Sequence, residues 1–340
     1  TPKFLYRPMH IDPDLVKRRL YNLRIEDIYD PTMAYIFRDK RTELDSMVSM
    51  IADRGKEDFL HGSLQVFGNV SEKLYKSAMA ILMVIEPEEP IKKSDDYISA
   101  NEFAKLARDE IKFLQRQNVE FNSPVRVRED ISGVMVNRGV LNISKEYRLT
   151  RKRAEALIQH EIGTHVVTYF NGRQQPLSIF SLGVPGYEEL QEGLAVLAEY
   201  IVGGLNNDRL RIIAARVIAV QNMLLGNSFI DTFNMLVEQY SFQPETAFQI
   251  VMRVYRGGGL TKDALYLKGI MELLNYLKDG NNVHLLMMGK IRKDYLPIIK
   301  DLLQKEILIP PAITPRYLFP EFSPQWKDVK RKGSIFKLIQ

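Results

Sequence analysis

The segment His160-Glu161-Ile162-Gly163-Thr164-His165 places two of the chain's five histidines in one stretch that reads as helix. Thr150 is a capping residue ahead of it, and Ala154, Leu157, Ile158 and Ile162 recur at the spacing of a buried helical stripe. In a regular α-helix, positions five apart diverge by about 140° around the axis, so the two imidazoles cannot face one ion. A π-type turn, with hydrogen bonds from i to i+5, brings them nearly into line, and such turns favour functional sites. The prediction is therefore a widened or broken turn at 162–164, where Gly163 is the permissive residue. The alternative is a regular helix with one capping and one packing histidine.

Neutral imidazoles are the usual nitrogen ligands of zinc, and a glutamate directly after the first is where metallopeptidases keep their general base. Here the spacing is one residue longer than in the common zinc-peptidase motif. The chain has no cysteine, which excludes disulfides, a thiolate nucleophile and sulfur ligands; further metal ligands must be His, Asp or Glu. A catalytic zinc needs about three protein ligands and an open position for water. The third is sought downstream in Glu188-Glu189-Leu190-Gln191-Glu192-Gly193-Leu194-Ala195, where a second helix starts after the loop Gly183-Val184-Pro185-Gly186. Its buried face is Leu190, Leu194, Leu197 and Ile201. Glu188 and Glu189 suit the first turn, where acids meet the helix dipole. Glu192 lies deeper, beside a glycine that permits close approach of another helix. Glu192 is the expected third ligand, with Glu189 and Glu199 as alternatives.

The rest of the sequence describes an ordinary globular frame. At 340 residues, 45% hydrophobic and 26% charged, the chain can bury a large core. No run approaches the roughly 18 apolar residues of a membrane span. Thr1-Pro2-Lys3-Phe4 lacks a leader pattern, although a start at Thr1 is compatible with trimming. These features lead us to expect a cytoplasmic setting and no membrane partner. A net charge of +5 without a dense Lys/Arg run gives no reason to expect nucleic acid. The pattern predicts an α+β, mainly helical fold. Asp30-Pro31 starts a helix with Phe37, Leu44, Val48 and Ile51 on its apolar stripe, ending at Arg54-Gly55. Further helices are expected from Ser71 to Ile85 and from Ala100 to Gln117. The polar, proline-bearing stretch 86–93 reads as a linker. Val125–Arg128, and Gly133–Val136 with Val140–Ile143 around the turn Asn137-Arg138-Gly139, predict a small antiparallel sheet just before the histidine helix. From Thr150 the pattern is helical again, up to a tail with Pro310, Pro311, Pro315, Pro320 and Pro324. The expected organisation is a helical region at 1–90, a core at 91–310 and a proline-rich, basic segment at 311–340 packed on that core.

Three further residues are candidates for substrate chemistry. Arginine's fork suits a terminal carboxylate, and Arg256, ahead of Gly257-Gly258-Gly259, is the first choice, with Arg253 second. Tyr266 follows on a helix and could stabilise an oxyanion, its alternative role being packing. The glycine run lacks the Gly-Lys-Ser/Thr ending of a phosphate loop, so nucleotide binding is not expected. His10, His61 and His284 are isolated and read as structural.

Gln191-Glu192-Gly193-Leu194-Ala195 resembles the QEGLA motif that names a group of bacterial proteins, and 160–165 is similar to their His-Glu-x-x-x-His signature. Eukaryotic relatives are the microtubule-associated tyrosine carboxypeptidases, which remove the C-terminal tyrosine of α-tubulin. The resemblance extends to the block 256–269 and to 30–55, and so covers most of the chain. It implies a zincin-like metallopeptidase core with Zn2+ held by His160, His165 and Glu192, and with Glu161 as catalytic base. The expected function is a zinc-dependent carboxypeptidase acting on a peptide or protein C-terminus. No long basic, disordered extension is present, which argues against tubulin as partner and points to a bacterial member. Two alternatives remain open: a zinc amidohydrolase or endopeptidase on another substrate, and a non-catalytic regulator stabilised by its metal.

Overall fold

Short polar side chains set the helix starts. In the computed structural model, which describes residues 2–6, 8–88, 97–256 and 260–338, Asp30 Oδ1 accepts from the Met33 amide at 2.8 Å and Pro31 takes the first helical position. Ser71 caps Glu72–Val84, Thr150 caps Arg151–Ile158, and Ser99 with Glu102 closes a reciprocal capping box on Ala100–Gln115. The described residues are mainly helical with small sheets, an α+β class. None of their helices is long and apolar enough to cross a membrane.

The chain divides into two compact units, one of residues 1–88 and 207–268, the other of residues 89–206 and 269–340. In the first unit, Pro31–Ala52 is covered along two sides, by Pro13–Tyr21 and by Asp58–Phe67, a helix the sequence pattern did not announce. That double cover shifts its buried face. Val48 is buried as expected, but Phe37, Leu44 and Ile51 are half-buried, while Ala34, Ile36 and Met50 join the core. Gly62 marks the closest crossing: a Cβ there would meet Met50 Cβ at 2.8 Å. The helix Asn207–Leu224 buries Ile213, Val217, Ile218 and Val220. The proposed linker at 86–93 falls largely outside the described residues; Glu88 itself donates its amide to Asp208.

Among the described residues of the second unit, five short strands precede the histidine helix: β1 (Tyr97–Ser99), β2 (Val125–Arg128), β3 (Val134–Asn137), β4 (Val140–Ser144) and β5 (Arg148–Thr150). The β3–β4 hairpin turns through Arg138 and Gly139, both at positive φ (48° and 75°), as a two-residue I′-type turn requires. The expectation of a purely antiparallel sheet is corrected. The three-stranded sheet has the order β2-β4-β3, with β3 antiparallel but β2 parallel to β4. Leu141, Asn142, Ile143 and Ser144 are all buried. A strand covered on both faces belongs at the centre, so β2 pairs with β4 rather than with its neighbour in sequence. Strands β1 and β5 form a separate antiparallel pair. One core then joins sheet and helices through Phe103, Ile111, Leu114, Leu141, Ile143, Leu157, Ile158, Ile162 and Val166.

The proline-rich segment is held by side-chain amides that mimic strand partners. Gln175 exchanges two hydrogen bonds with the backbone of Ile309 (2.9 and 3.0 Å), Asn171 with Ile313 (both 2.9 Å), and Gln117 with Thr314 (2.8 and 3.0 Å). Its end is helical after all. Ser323–Lys332 forms a helix with Pro324 in the first turn, where proline's missing amide is not needed, and it stops at Gly333 in the left-handed region.

Candidate metal centre

The widened turn is present, and it is longer than the three residues expected. Gln159–Val166 is π-helical, set between the α-helices Arg151–Ile158 and Val167–Gln174. The Thr164 hydroxyl donates to the Gln159 carbonyl, five residues back, at 3.1 Å, a side-chain bond that matches the wider turn. Gly163 serves it differently from the sequence argument. Its φ is not in the left-handed region, but a Cβ there would meet Gln159 Oε1 at 2.6 Å and the Tyr317 ring at 3.2 Å. The requirement is for space, not for backbone freedom. Beneath the turn Gln159 Nε2 donates to Glu110 Oε1 at 3.0 Å, and Arg316 clamps Glu110 Oε2 with two nitrogens at 2.9 and 2.7 Å. Tyr317 is sealed against Thr164 and its hydroxyl pKa is pushed far up by burial.

This backbone brings the imidazoles together, with ring centroids 5.1 Å apart and planes at 78°. Each Nε2 lies 3.8 Å from the same atom, Glu192 Oε2. Glu192 arrives on the helix Tyr187–Ile201. The glycine after it is the reason that helix can seat: a Cβ on Gly193 would lie 2.4 Å from the Gly269 carbonyl carbon, and one on Gly269 would lie 2.0 Å from the Glu189 carbonyl oxygen. Neither wall is a flexible side chain. Of the three glutamates considered, Glu192 joins the histidines in a cluster whose ligand atoms all lie within 4.8 Å of one another. Donors about 2.1 Å from a tetrahedral ion stand roughly 3.4 Å apart. The donor set therefore fits a metal with little movement, and three protein donors leave a fourth position.

Glu199 has a different place. It is fully buried, its Oε1 is 2.7 Å from His160 Nδ1, and its other oxygen pairs with Arg153. That contact holds the proton on Nδ1 and leaves the Nε2 lone pair facing Glu192. Gln191 plays the same part for His165, with Oε1 at 3.4 Å from Nδ1 and 2.9 Å from the Thr168 hydroxyl. Burial lowers the His165 pKa to about 4; Glu192 opposes the shift, while His160 and Lys290 add to it. The ring is thus neutral at ordinary pH, the form a ligand needs. Glu161, in the same π turn, is buried at 7% exposure.

The sequence reading missed Lys290. Its ammonium sits over the rings of Tyr169 and Tyr187 at 5.6 and 5.3 Å, and its charge reaches His165. No motif surrounds it, so only the fold could point to it. The other three candidates fall in the first unit. Arg253 is engaged by Asp263 at 2.7 and 3.4 Å, Arg256 is exposed with its carbonyl accepting from the Tyr6 hydroxyl, and the Tyr266 ring lies under the Arg216 guanidinium at 4.9 Å. His10, His61 and His284 are exposed.

Comparison with known proteins gives one broad match. The sequence profile of the microtubule-associated tyrosine carboxypeptidase family matches residues 1–334. No curated protein matches the sequence. Among solved structures, a protein described as a lipoprotein of unknown function from Shewanella oneidensis is similar at 14% identity, with a TM-score of 0.47 over 86% of this chain and 70% of that one.

Proposed function

The chain belongs to the microtubule-associated tyrosine carboxypeptidase family, and on that premise we propose that it is a zinc-dependent carboxypeptidase that removes a C-terminal residue from a peptide or protein. The observation that carries this reading is the meeting of both imidazole Nε2 atoms on Glu192 Oε2. His160, His165 and Glu192 would hold the ion in a zincin-like core within residues 91–310. A zinc ion so bound would polarise the scissile carbonyl and lower the pKa of a bound water towards about 7. Glu161, buried in the same π turn, would be the general base that accepts a proton during hydrolysis and returns it to the leaving amine. Glu199 accepts from His160 Nδ1 and so would keep the ring in the tautomer whose Nε2 is free to act as a ligand. Lys290, held between two aromatic rings, supplies positive charge on the His165 side. Strand β3 is an edge of its sheet, and its edge suits an extended peptide added as a further strand. Arg256 and Arg253 are the candidates for the substrate carboxylate, and Tyr266 for the oxyanion.

The test combines zinc analysis with turnover on paired peptides that end in a free carboxylate or in an amide. Bound zinc with cleavage of free ends alone is the expected result. Cleavage of both would indicate an endopeptidase or another amidohydrolase, and zinc without turnover a regulatory protein. Glu161→Gln should keep the metal and abolish hydrolysis; an undiminished rate would remove Glu161 from the mechanism.

A further inference from the structure

Lys290 belongs to the same compact unit as the metal cluster, residues 89–206 and 269–340, and so do both tyrosines beneath its ammonium. The side chains concerned surface from segments that are otherwise buried. His165 and Tyr169 keep partial exposure while Thr164, Val166, Thr168 and Phe170 beside them are buried. Glu192 does so between buried Gln191 and Gly193, and Lys290 between buried Gly289 and Ile291. His165 and Tyr169 are four residues apart, about one turn along the same helical run. The ring that carries the ammonium is therefore the neighbour of a metal-ligand candidate.

Backbone and rings together fix Lys290. Its amide donates to the Phe180 carbonyl at 2.8 Å, and its carbonyl accepts from the Val184 amide at 3.0 Å. Each ring sits where a glycine leaves room: a Cβ on Gly139 would meet Tyr169 at 2.6 Å, and one on Gly183 would meet Tyr187 at 2.3 Å. Gly139 lies in the turn that follows β3, so Tyr169 stands at the turn end of that edge strand. Ring faces hold an ammonium in place without cancelling its charge. The charge is felt at the cluster. Burial first, and then the charges of His160 and Lys290, hold the His165 pKa low against the pull of Glu192.

The carboxylate of a terminal residue lies one residue, roughly 3.5 Å of extended chain, beyond the last peptide bond. A group that recognises it must stand beside the metal ligands. An ammonium with three donors suits a carboxylate whose orientation is set by the rest of the chain. We propose that Lys290, seated on Tyr169 and Tyr187, recognises the substrate's C-terminal carboxylate and so confines the reaction to free chain ends. The inference rests on the peptidase reading of the metal cluster, and it gives the carboxylate to Lys290 instead of to Arg256 or Arg253 of the other unit.

Calorimetric titration of the full chain tests this, in Glu161→Gln protein so that no peptide is consumed, both chelator-treated and with zinc supplied. The probes are a short peptide with a free C-terminus and the same peptide amidated. A charge-assisted contact corresponds to about tenfold or more, so the acid should bind tighter than the amide by that factor. Lys290→Met, which removes the charge and leaves the backbone bonds of residue 290 available, should bring the two peptides level by weakening the acid alone. Lys290→Arg should keep most of the preference. In otherwise unaltered protein, Lys290→Met should raise KM for the acid far more than it lowers kcat. Thermal melting checks that the variants fold; if Lys290→Met does not, Lys290→Gln carries the comparison. Equal binding of acid and amide by the parent chain, no binding of either, an unchanged preference in the folded variant, or equal weakening of both peptides overturns the proposal. A failed peptidase reading shows separately, as absent zinc or absent turnover in protein whose acid preference still depends on Lys290.

Discussion

At the scale of single residues, the candidate site depends on side chains that never touch the metal position. Glu199 is the clearest. From sequence it competed with Glu192 as a ligand; in the structure it stands behind His160, fully buried and shared with Arg153. Both carboxylates are spaced to reach the π turn, and only the packed helix decides which side of the imidazole each meets. Outer partners of this kind are worth about 10–100-fold in metal affinity. Glu199→Gln should therefore weaken zinc binding by that factor while the three ligand residues stay in place, measured by competition with a chromogenic chelator. Unchanged affinity would reduce the His160–Glu199 contact to packing. His160, His165 and Glu192 were legible because their chemistry is written in residue type and spacing. Lys290 was not, since a lone lysine between Gly289 and Ile291 carries no pattern and takes its meaning from Tyr169 and Tyr187.

At the scale of elements, the five-residue histidine spacing predicted a departure from the α-helix, and Gln159–Val166 supplies it. The extent of the π turn was not legible, because it depends on partners distant in sequence: Tyr317 against Gly163, and Arg316 through Glu110 to Gln159. The seating of the helix Tyr187–Ile201 is similar. Gly193 was expected to allow a close approach, and the partner proves to be the backbone at Gly269. A methyl group there meets atoms that cannot rotate away. Gly193→Ala should destabilise the protein by about 1–3 kcal/mol, as overpacking does, and should displace Glu192 enough to weaken zinc binding. Thermal unfolding and zinc affinity, measured on one preparation, check both; an unchanged melting temperature would mean that the helices separate freely. The sheet shows the opposite limit. Alternation along 125–128, and the segments 133–136 and 140–143 flanking a turn, identified three strands but neither the β1–β5 pair nor that β2 pairs parallel with β4, since pairing follows burial of the central strand.

At the scale of the whole molecule, a ligand that binds only the folded chain adds to its stability, by about 2.7 kcal/mol at a free concentration 100 times its dissociation constant. Zinc should therefore raise the melting temperature of chelator-treated protein, and Glu192→Ala should abolish the rise; an equal rise in the variant would place the ion elsewhere. By itself the sequence determined the mainly helical class, helix starts at or near Asp30, Ser71, Ala100 and Thr150, three of the five described strands and the candidate metal-ligand residue types. Those features are local, because caps, periodicity and ligand chemistry act within a few residues. The tertiary structure alone decided the division into two units, the mixed strand order and the place of Glu199 behind His160. Each of these depends on which distant residue fills the space or meets the charge, and that is settled only when the chain packs.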